Sequence, residues 1–356
     1  MSEEVRAGRG AALSEQLAGL SPAYFGMAMA TGIVSVAAHL LDWPRLSWAL
    51  FLVNGLIYAG LWLAYLARAW RWPRRMAADL FDHLRAPGFF TAVAATAVLG
   101  SQFLLIADGH IVALALWGLA LLLWLLLTYT VFTVLVVKAD KPTLDKGING
   151  GWLLAVVSTQ SLAVLSALLA SRLGQPYRLE LNFFALSMWL WGGMLYIWMM
   201  SLIFYRYTFF AFSPADLSPP YWINMGAMAI STLAGCQLIL NAPDAPFLQS
   251  LLPFLKGFTV FYWATGTWWI PMLVLLAIWR HLLQRFPLRY DPLYWGAVFP
   301  IGMYAACTQQ LTEALALPFL AFLPQTMLVF ALAAWSLVVL GFAQDGLCRL
   351  RHASCR

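Results

Sequence analysis

Ionisable side chains in this 356-residue chain stand at the ends of its long apolar stretches, where they can reach water. A charged group in the middle of a membrane span is by default a functional marker. The absence of such groups argues against a proton pump with a carboxylate relay, a retinal protein with a mid-span lysine and a haem protein with central histidine pairs. The four cysteines show no metal-ligand spacing, so we expect neither a cofactor nor a metal. The residues at the stretch ends are His39, Asp42, Asp108, His110, Glu180 and Glu313.

The groups left inside the stretches are hydroxyls, amides and glycines. Hydroxyl and amide donors can replace part of an anion's hydration shell, and helix N-termini present positive dipole ends. Cation pathways usually carry acidic rings, so the pattern favours small inorganic or organic anions over cations. The alternatives are hydrogen bonds from Ser and Thr to their own helix backbone and close helix packing at Gly. The candidates to line an anion path are Phe25, Gly26, Thr31, Gly32, Thr96, Ser158, Thr159, Asn224, Gly226, Ser231, Thr232, Gly296 and Gly302.

One apolar stretch carries a proline near its middle, directly after a phenylalanine. Pro300 removes a helix hydrogen bond and predicts a kink, while Gly296 and Gly302 clear space beside Phe299. A large ring at the waist of a narrow neutral pore blocks it by filling the space or by dewetting. We therefore expect Phe299 and Pro300 to form a gate. The alternative is that Phe299 is one more lipid-facing ring among 23 phenylalanines.

These residues belong to a unit that recurs five times, at spacings of 63 to 72 residues. Each unit opens with a proline or glycine followed by aromatic residues, which suit a helix start at a membrane surface. Each unit is long enough for one helix out and one helix back, so the repeat predicts a helical hairpin. The five openings are Pro22-Ala-Tyr24-Phe25, Pro87-Gly-Phe89-Phe90, Gly150-Gly-Trp152, Pro220-Tyr221-Trp222 and Pro292-Leu-Tyr294-Trp295.

The composition is that of a polytopic membrane protein. Hydrophobic residues make up 62% of the chain and charged residues 10%, against about 25% charged in a soluble domain. Ten stretches reach the roughly 20 residues that a membrane-spanning helix needs. The expected spans are Pro22–Leu41, Leu46–Leu66, Gly88–Ala107, Ile111–Val137, Gly151–Leu173, Leu181–Tyr205, Tyr221–Leu240, Gly257–Leu283, Leu293–Glu313 and Phe319–Phe342.

The distribution of Lys and Arg predicts the orientation. With the N-terminus inside, 17 of the 21 basic residues fall in inner segments, which the positive-inside rule favours. We expect a cytoplasmic tail at 1–20, a membrane domain at 21–342, a cytoplasmic tail at 343–356, and a bacterial inner membrane as the location. The net charge of +6 is explained by this asymmetry and requires no nucleic-acid partner.

The odd and even spans differ in composition. Odd spans are rich in Gly and in weakly polar side chains, whereas even spans are dominated by bulky apolar residues, as in 119–127. Uniformly apolar helices can face lipid, while small and hydroxyl residues belong at helix contacts or water-filled cavities. The predicted fold is therefore an all-α bundle of ten helices in five quasi-fivefold hairpins, with the odd helices around a central pore and the even helices outside.

Three segments resemble the tellurite-resistance/C4-dicarboxylate transporter family. The segments are Tyr24–Gly32 in the first span, Trp222–Thr232 in the seventh and Trp295–Pro300 in the ninth. That family includes the slow anion channels of plant guard cells and fungal malate and sulfite carriers. The resemblance covers about residues 21–342. It implies a pore of five inner helices, an occluding phenylalanine at the position of Phe299, and a homotrimer of separately conducting subunits.

Three functions remain open on the sequence alone. The first is a passive anion channel, or channel-like uniporter, with Phe299 as its gate. The second is a carrier that exports sulfite, tellurite or C4-dicarboxylates, with or without proton coupling. The third is a membrane enzyme, which the missing clusters of Asp, Glu or His disfavour. No Arg or Lys lies mid-span to hold a dicarboxylate by a bidentate contact, which favours small monovalent anions.

Overall fold

The computed structural model describes residues 14–352, apart from the side chains of residues 347 and 349–352. These described residues form helices and turns without a strand, which confirms the predicted all-α class. The ten long helices are α1 (Gly26–Leu40), α2 (Pro44–Arg71), α3 (Phe90–Ile106), α4 (His110–Val137), α5 (Leu154–Arg172), α6 (Tyr177–Phe209), α7 (Ile223–Asn241), α8 (Leu252–Ile278), α9 (Trp295–Leu315) and α10 (Phe322–His352).

Nine of the long helices in the described part of the chain are apolar enough to cross a membrane, by length and composition. Helix α9 is not among the nine, although its 21 residues give it a fitting length. Its C-terminal half carries Thr308, Gln310 and Glu313, which lower its apolar character. Nine of the ten predicted spans thus correspond to helices that can cross a membrane by length and composition. That α9 also crosses the membrane stays a prediction.

The even-numbered helices extend beyond the predicted spans. Helix α6 ends at Phe209 rather than Tyr205, and α10 continues to His352 rather than stopping at Phe342. The predicted C-terminal tail therefore begins as the last turns of α10. The predicted N-terminal tail at 1–20 and the C-terminal tail at 343–356 lie partly outside the described residues.

Each odd-numbered helix begins with a short 3-10 turn at the repeated motif. We call these segments the opening turns. Proline suits them because the first turn of a helix has no use for its missing N–H. Side chains cap three of them: Ser21, Asn149 and Asp291 accept hydrogen bonds from the backbone N–H two residues on. The opening turns are Pro22–Phe25, Ala86–Phe89, Gly150–Leu153, Pro219–Trp222 and Pro292–Tyr294.

The odd-numbered helices contact one another in a closed cycle. Helix α1 packs against α3, α3 against α5, α5 against α7, α7 against α9, and α9 against α1. The five opening turns contact one another in the same cyclic order. We call α1, α3, α5, α7 and α9 the inner helices, and the even-numbered helices the outer helices.

Burial separates the two sets of helices. In the most apolar stretch of α1, α3, α5 and α7, between 78 and 100% of the residues are buried inside the protein. The corresponding share in the outer helices is 11 to 50%. Each outer helix packs against the inner helix of its own hairpin. The alternation of composition along the sequence therefore corresponds to an alternation of burial.

Glycine permits the closest approach between opening turns. A Cβ on Gly150 would lie 2.7 Å from the carbonyl carbon of Pro220 and from the Cα of Tyr221. Both are backbone atoms and cannot move aside as a flexible side chain can. Gly296, near the start of α9, has only ordinary contacts at 3.6 Å and beyond. The packing at the start of α9 therefore depends on glycine less than the packing at the start of α5 does.

We predict that Gly150→Ala lowers the thermal unfolding temperature of the purified protein. The added methyl group overpacks a backbone contact, at a cost of about 1–3 kcal/mol. The matched control is Gly118→Ala on outer helix α4, where nothing lies within 4 Å of the added Cβ. Alanine there adds helix propensity and leaves stability unchanged or slightly raised. Equal unfolding temperatures for the two variants would contradict the close contact between the opening turns.

Candidate functional site

A cavity of about 230 Å³ lies among the C-terminal halves of the inner helices, and all five helices line it. We call it the inner cavity. Its walls are mostly aliphatic, with hydroxyl and amide groups interspersed and an arginine at its end. The lining residues are Ile33, Val36, Leu40, Val98, Ser101, Leu104, Leu105, Ser161, Val164, Leu168, Ser171, Arg172, Ile230, Leu233, Gln237, Met303 and Gln310.

The five walls of the inner cavity are equivalent positions of the sequence repeat. Counting starts from Pro22, Pro87, Gly150, Pro219 and Pro292, which lie in the five opening turns. The residues 11 positions later are Ile33, Val98, Ser161, Ile230 and Met303, and all five line the cavity. The residues 18 positions later are Leu40, Leu105, Leu168, Gln237 and Gln310, and all five line it again. Each inner helix therefore turns the same face of its repeat towards the cavity.

Phe299 belongs to the next layer on this face. The residues seven positions after the counting start come four positions before Ile33 and its equivalents, which line the cavity. They therefore lie on the same helix face, one turn nearer the opening turns. We call these residues the Phe299 layer. Phe299 is its one aromatic member, and its ring is fully buried at 0% exposure. The layer consists of Met29, Ala94, Val157, Gly226 and Phe299, and none of these lines the inner cavity. The cavity therefore ends where the Phe299 layer begins.

Pro300 fixes the contact between α9 and α7 beside this layer. It lies inside α9, where its missing N–H leaves the carbonyl of Gly296 without the usual helical donor. A Cβ on Gly226 would lie 2.7 Å from Cγ of Pro300, so only glycine lets α7 approach the proline ring this closely. The structure thus brings Pro300, predicted as part of the gate, against Gly226, predicted as a lining residue.

Three of the four predicted lining threonines have partners on the outer helices instead of lining the inner cavity. Trp335 donates its indole N–H to Thr31 at 3.0 Å, and Trp124 donates to Thr159 at 2.8 Å. Thr96 shares a 2.8 Å hydrogen bond with the phenol of Tyr58. Positions nine after the counting start are rotated by roughly 200° from those eleven after it. These hydroxyls therefore point away from the cavity.

Two further hydrogen bonds complete this set. Trp189 donates to the backbone carbonyl of Ser231 at 2.8 Å, and Trp263 donates to Thr308 at 3.0 Å. Every bond of the five joins an outer helix to the inner helix of the next hairpin, and Trp335 on the last hairpin returns to Thr31 on the first. We call them the hairpin-linking hydrogen bonds.

The other predicted lining residues serve helix packing or local hydrogen bonds. A Cβ on Gly32 would meet Val98, one on Gly302 would meet Val34, and one on Gly26 would touch Trp295. The side-chain hydroxyls of Ser158, Ser231 and Thr232 bond to carbonyls of their own helices. Asn224 donates to the Tyr207 hydroxyl at 3.0 Å, and Phe25 packs against the rings of Tyr58, Trp62 and Tyr65. These are the alternatives that the sequence leaves open.

The sequence reasoning missed the polar groups that do line the inner cavity. Gln237 donates to Gln310 at 2.7 Å, and Gln310 donates to Glu313 at 2.9 Å, so the two amides are linked across α7 and α9. Arg172 ends α5 at the rim, half exposed and 4.0 Å from the carboxylate of Asp108. Gln237 and Gln310 both lie 18 positions after the counting start, so the spacing of the repeat could have identified them as equivalent residues.

The walls of the inner cavity are neutral, and the guanidinium of Arg172 at the rim has the carboxylate of Asp108 beside it. Arg172 is the one charged residue among the described residues that line the inner cavity. Within residues 14–352, no group of three His, Cys, Asp or Glu side chains is arranged to hold a metal ion. The chemistry available is therefore weak hydrogen bonding and long-range attraction of anions.

Comparison with known proteins gives a family and several relatives. The family model described as voltage-dependent anion channel matches residues 19–343. An uncharacterized transporter of Methanocaldococcus jannaschii is 25% identical over 293 residues, which cover 80% of this chain and 82% of that protein. An uncharacterized membrane protein of Mycobacterium tuberculosis is 41% identical over 143 residues, which cover 40% of this chain and 72% of that protein.

We predict that Trp335 and Thr31 are energetically coupled, because their bond joins the last hairpin to the first. Trp335→Phe keeps an aromatic ring and removes the donor, at a cost of about 0.5–1.5 kcal/mol. A double-mutant cycle with Thr31→Val, measured by thermal unfolding, isolates the pair. The control is Trp198→Phe on α6, whose ring is 51% exposed and makes no hairpin-linking bond. Strict additivity of Trp335→Phe and Thr31→Val would contradict the coupling.

Proposed function

Since the chain belongs to the voltage-dependent anion channel family, we propose that it passes small anions across a membrane along the axis enclosed by its inner helices. The observation that carries the proposal is the register of the inner cavity. The same face of all five inner helices lines it, and it stops at the layer that contains Phe299. A conduit between repeated helices requires this arrangement, whereas general helix packing does not.

The quasi-fivefold arrangement of ten spans follows from the same contacts. Each inner helix touches two other inner helices in a cycle that α9 closes against α1. Helix α9 is mostly buried between α1, α7 and α10, so the side chains of Thr308 and Gln310 face protein and not acyl chains, while the exposed Glu313 lies near the end of the helix. We propose that α9 crosses the membrane as the tenth span for this reason.

Phe299 acts as the gate in this proposal. Its layer otherwise holds Ala94 and Gly226, which leave room for one large ring, together with the flexible Met29 and the compact Val157. A ring in such a layer excludes water and hydrated ions by filling and dewetting the passage. Movement of the ring, or flexing of α9 at Pro300, would connect the inner cavity to the space beyond the layer.

The orientation comes from the charges of the connecting segments. Both termini are proposed to lie in the cytoplasm of a bacterial cell, with the protein in the inner membrane. The opening turns then face the cytoplasm, and five parallel inner helices direct the positive ends of their dipoles towards that side. The inner cavity opens on the opposite side, where Arg172 stands at its rim.

The lining favours small monovalent anions over dicarboxylates. Arg172 offers a single charge at the rim, and Ser101, Ser161, Gln237 and Gln310 offer neutral groups along the walls. Weak binding of this kind lets an ion enter and leave quickly. The homotrimer implied by the family resemblance is also proposed, with subunits meeting through the outer helices, whose exposed apolar faces otherwise contact lipid.

We predict that Phe299→Ala raises anion flux into liposomes by about tenfold or more, equivalent to a barrier lower by ~1.4 kcal/mol. The matched control is Phe330→Ala on α10, a ring that is 57% exposed on the outside of the protein, and it leaves flux unchanged. The measurement is the flux of chloride, nitrate and malate into the same vesicles, followed by an optical signal or by an electrode.

Two results of this assay decide between functions. Electrogenic flux with unitary steps supports a channel, while saturable exchange without steps supports a carrier. Unchanged flux through a correctly folded Phe299→Ala protein would remove Phe299 from the path and would refute the gate.

We predict that Arg172→Gln lowers the flux of small anions roughly two- to fivefold at low salt, because a charge at the mouth raises the local anion concentration. The difference shrinks as ionic strength rises, since screening shortens the reach of the charge. The control Arg178→Gln removes a charge that pairs with Asp244 at 3.0 Å and does not line the cavity. Equal loss of flux in both variants would assign the effect to net surface charge.

A further inference from the structure

Among the side chains that the structure describes, three arginines are buried near the C-terminal ends of outer helices, and two of them have carboxylate partners. Arg68 lies 2.7 Å from Asp79, and Arg206 lies 3.1 Å from Asp216. Burial opposes the ionisation of Asp216, yet hydrogen bonds from Ser213 and the charge of Arg206 lower the pKa of this carboxyl below its ordinary value. Each of these two buried guanidinium groups thus has a carboxylate beside it.

Arg280 is the exception. It is 9% exposed, and no carboxylate of the described residues lies within ion-pair distance of it. Its Nη1 donates to the carbonyl of Leu217, and its guanidinium lies 4.4 Å from the centre of the Phe286 ring. Its Nε is buried without a hydrogen-bond partner. A buried charge with an unused donor is costly unless an opposite charge compensates it.

A second unused donor belongs to a residue that lines the same small cavity as Arg280. The Ser218 hydroxyl is buried without a partner, and Ser218 and Arg280 both line a cavity of about 40 Å³. Tyr221 and Trp222 from the opening turn of α7, Tyr294 from that of α9, and His281 form other walls. The opening turn of α7 starts with two prolines, which lack N–H groups, so Arg280 and Ser218 supply the donors.

We propose that this cavity binds a small inorganic monovalent anion of the halide or nitrate class, held by Nε of Arg280 and the hydroxyl of Ser218. The volume exceeds what one water needs and is too small for a lipid phosphate with its attached glycerol. The site lies beside the opening turns of α7 and α9, apart from the inner cavity, and shares no lining residue with it. A bound anion neutralises the buried guanidinium and joins these two turns.

Direct detection uses diffraction from wild-type crystals grown in sodium bromide. The expected result is an anomalous peak within hydrogen-bonding reach of Nε of Arg280. Water alone at this position, a lipid phosphate, or no density at all in high bromide would overturn the proposal. This measurement needs no variant to fold.

A second measurement follows thermal unfolding of the full chain in detergent while bromide replaces gluconate at constant ionic strength. Wild type gains a saturable rise of about 2–4 °C, because a ligand that binds only the folded state stabilises it. Arg280→Gln loses the rise, whereas Arg178→Gln, which removes a charge that lines neither cavity, keeps it. An unchanged rise in Arg280→Gln would overturn the proposal. Failure of the Phe299→Ala flux prediction would leave this result standing, since the two sites are separate.

Discussion

The arrangement of the inner helices depends on hydrogen bonds that each hairpin makes to the next. An inner helix surrounded by other helices has no water to satisfy a hydroxyl, so its threonines need a protein partner. The outer helix of the preceding hairpin supplies this partner with an indole or phenol, at Thr31, Thr96, Thr159 and Thr308, and at the carbonyl of Ser231. Since the bond from Trp335 closes the cycle, the rotation of all five inner helices is set together.

That rotation explains why the threonines of α1, α3 and α5 do not mark the helix face that lines the inner cavity. Threonine at the position nine after the counting start was expected to contact a solute, but its hydroxyl faces an outer helix. The face towards the inner cavity carries Ile33, Val98 and Met303, which look like ordinary core residues. The informative signal is the recurrence of Tyr58, Trp124, Trp189, Trp263 and Trp335 at spacings close to the repeat. A polar side chain in a membrane first needs a hydrogen-bond partner, and these aromatic residues are the partners.

Much of the fold could nevertheless be predicted. The family, the all-α class and nine of the spans agree with the sequence analysis, because repeat spacing and apolar length are properties of local sequence. Helix α9 fell short by composition since it carries polar residues, of which Thr308 and Gln310 are buried against protein. The pairing of Gln237 with Gln310 could not be foreseen, because it depends on which face of α7 meets α9. The register of Phe299 follows from its position in the repeat, although its role as a gate remains a proposal.

The Phe299 layer also shows how a fivefold repeat can hold an asymmetric element. Five equal rings would not fit among helices that touch one another, and five small residues would leave an open passage. In the proposed gate, one phenylalanine against alanine and glycine fills the layer from a single helix, so a change in one helix would be enough to alter the passage. Pro300 lies directly after this residue and against Gly226. Because Pro300 removes a backbone hydrogen bond from α9, bending this helix breaks one hydrogen bond fewer. The inner helix that carries the Phe299 ring is therefore also the one that bends most easily. The opening turns hold the N-terminal end of α9 against those of α1 and α7, so bending at Pro300 would leave the cycle of contacts between these turns intact.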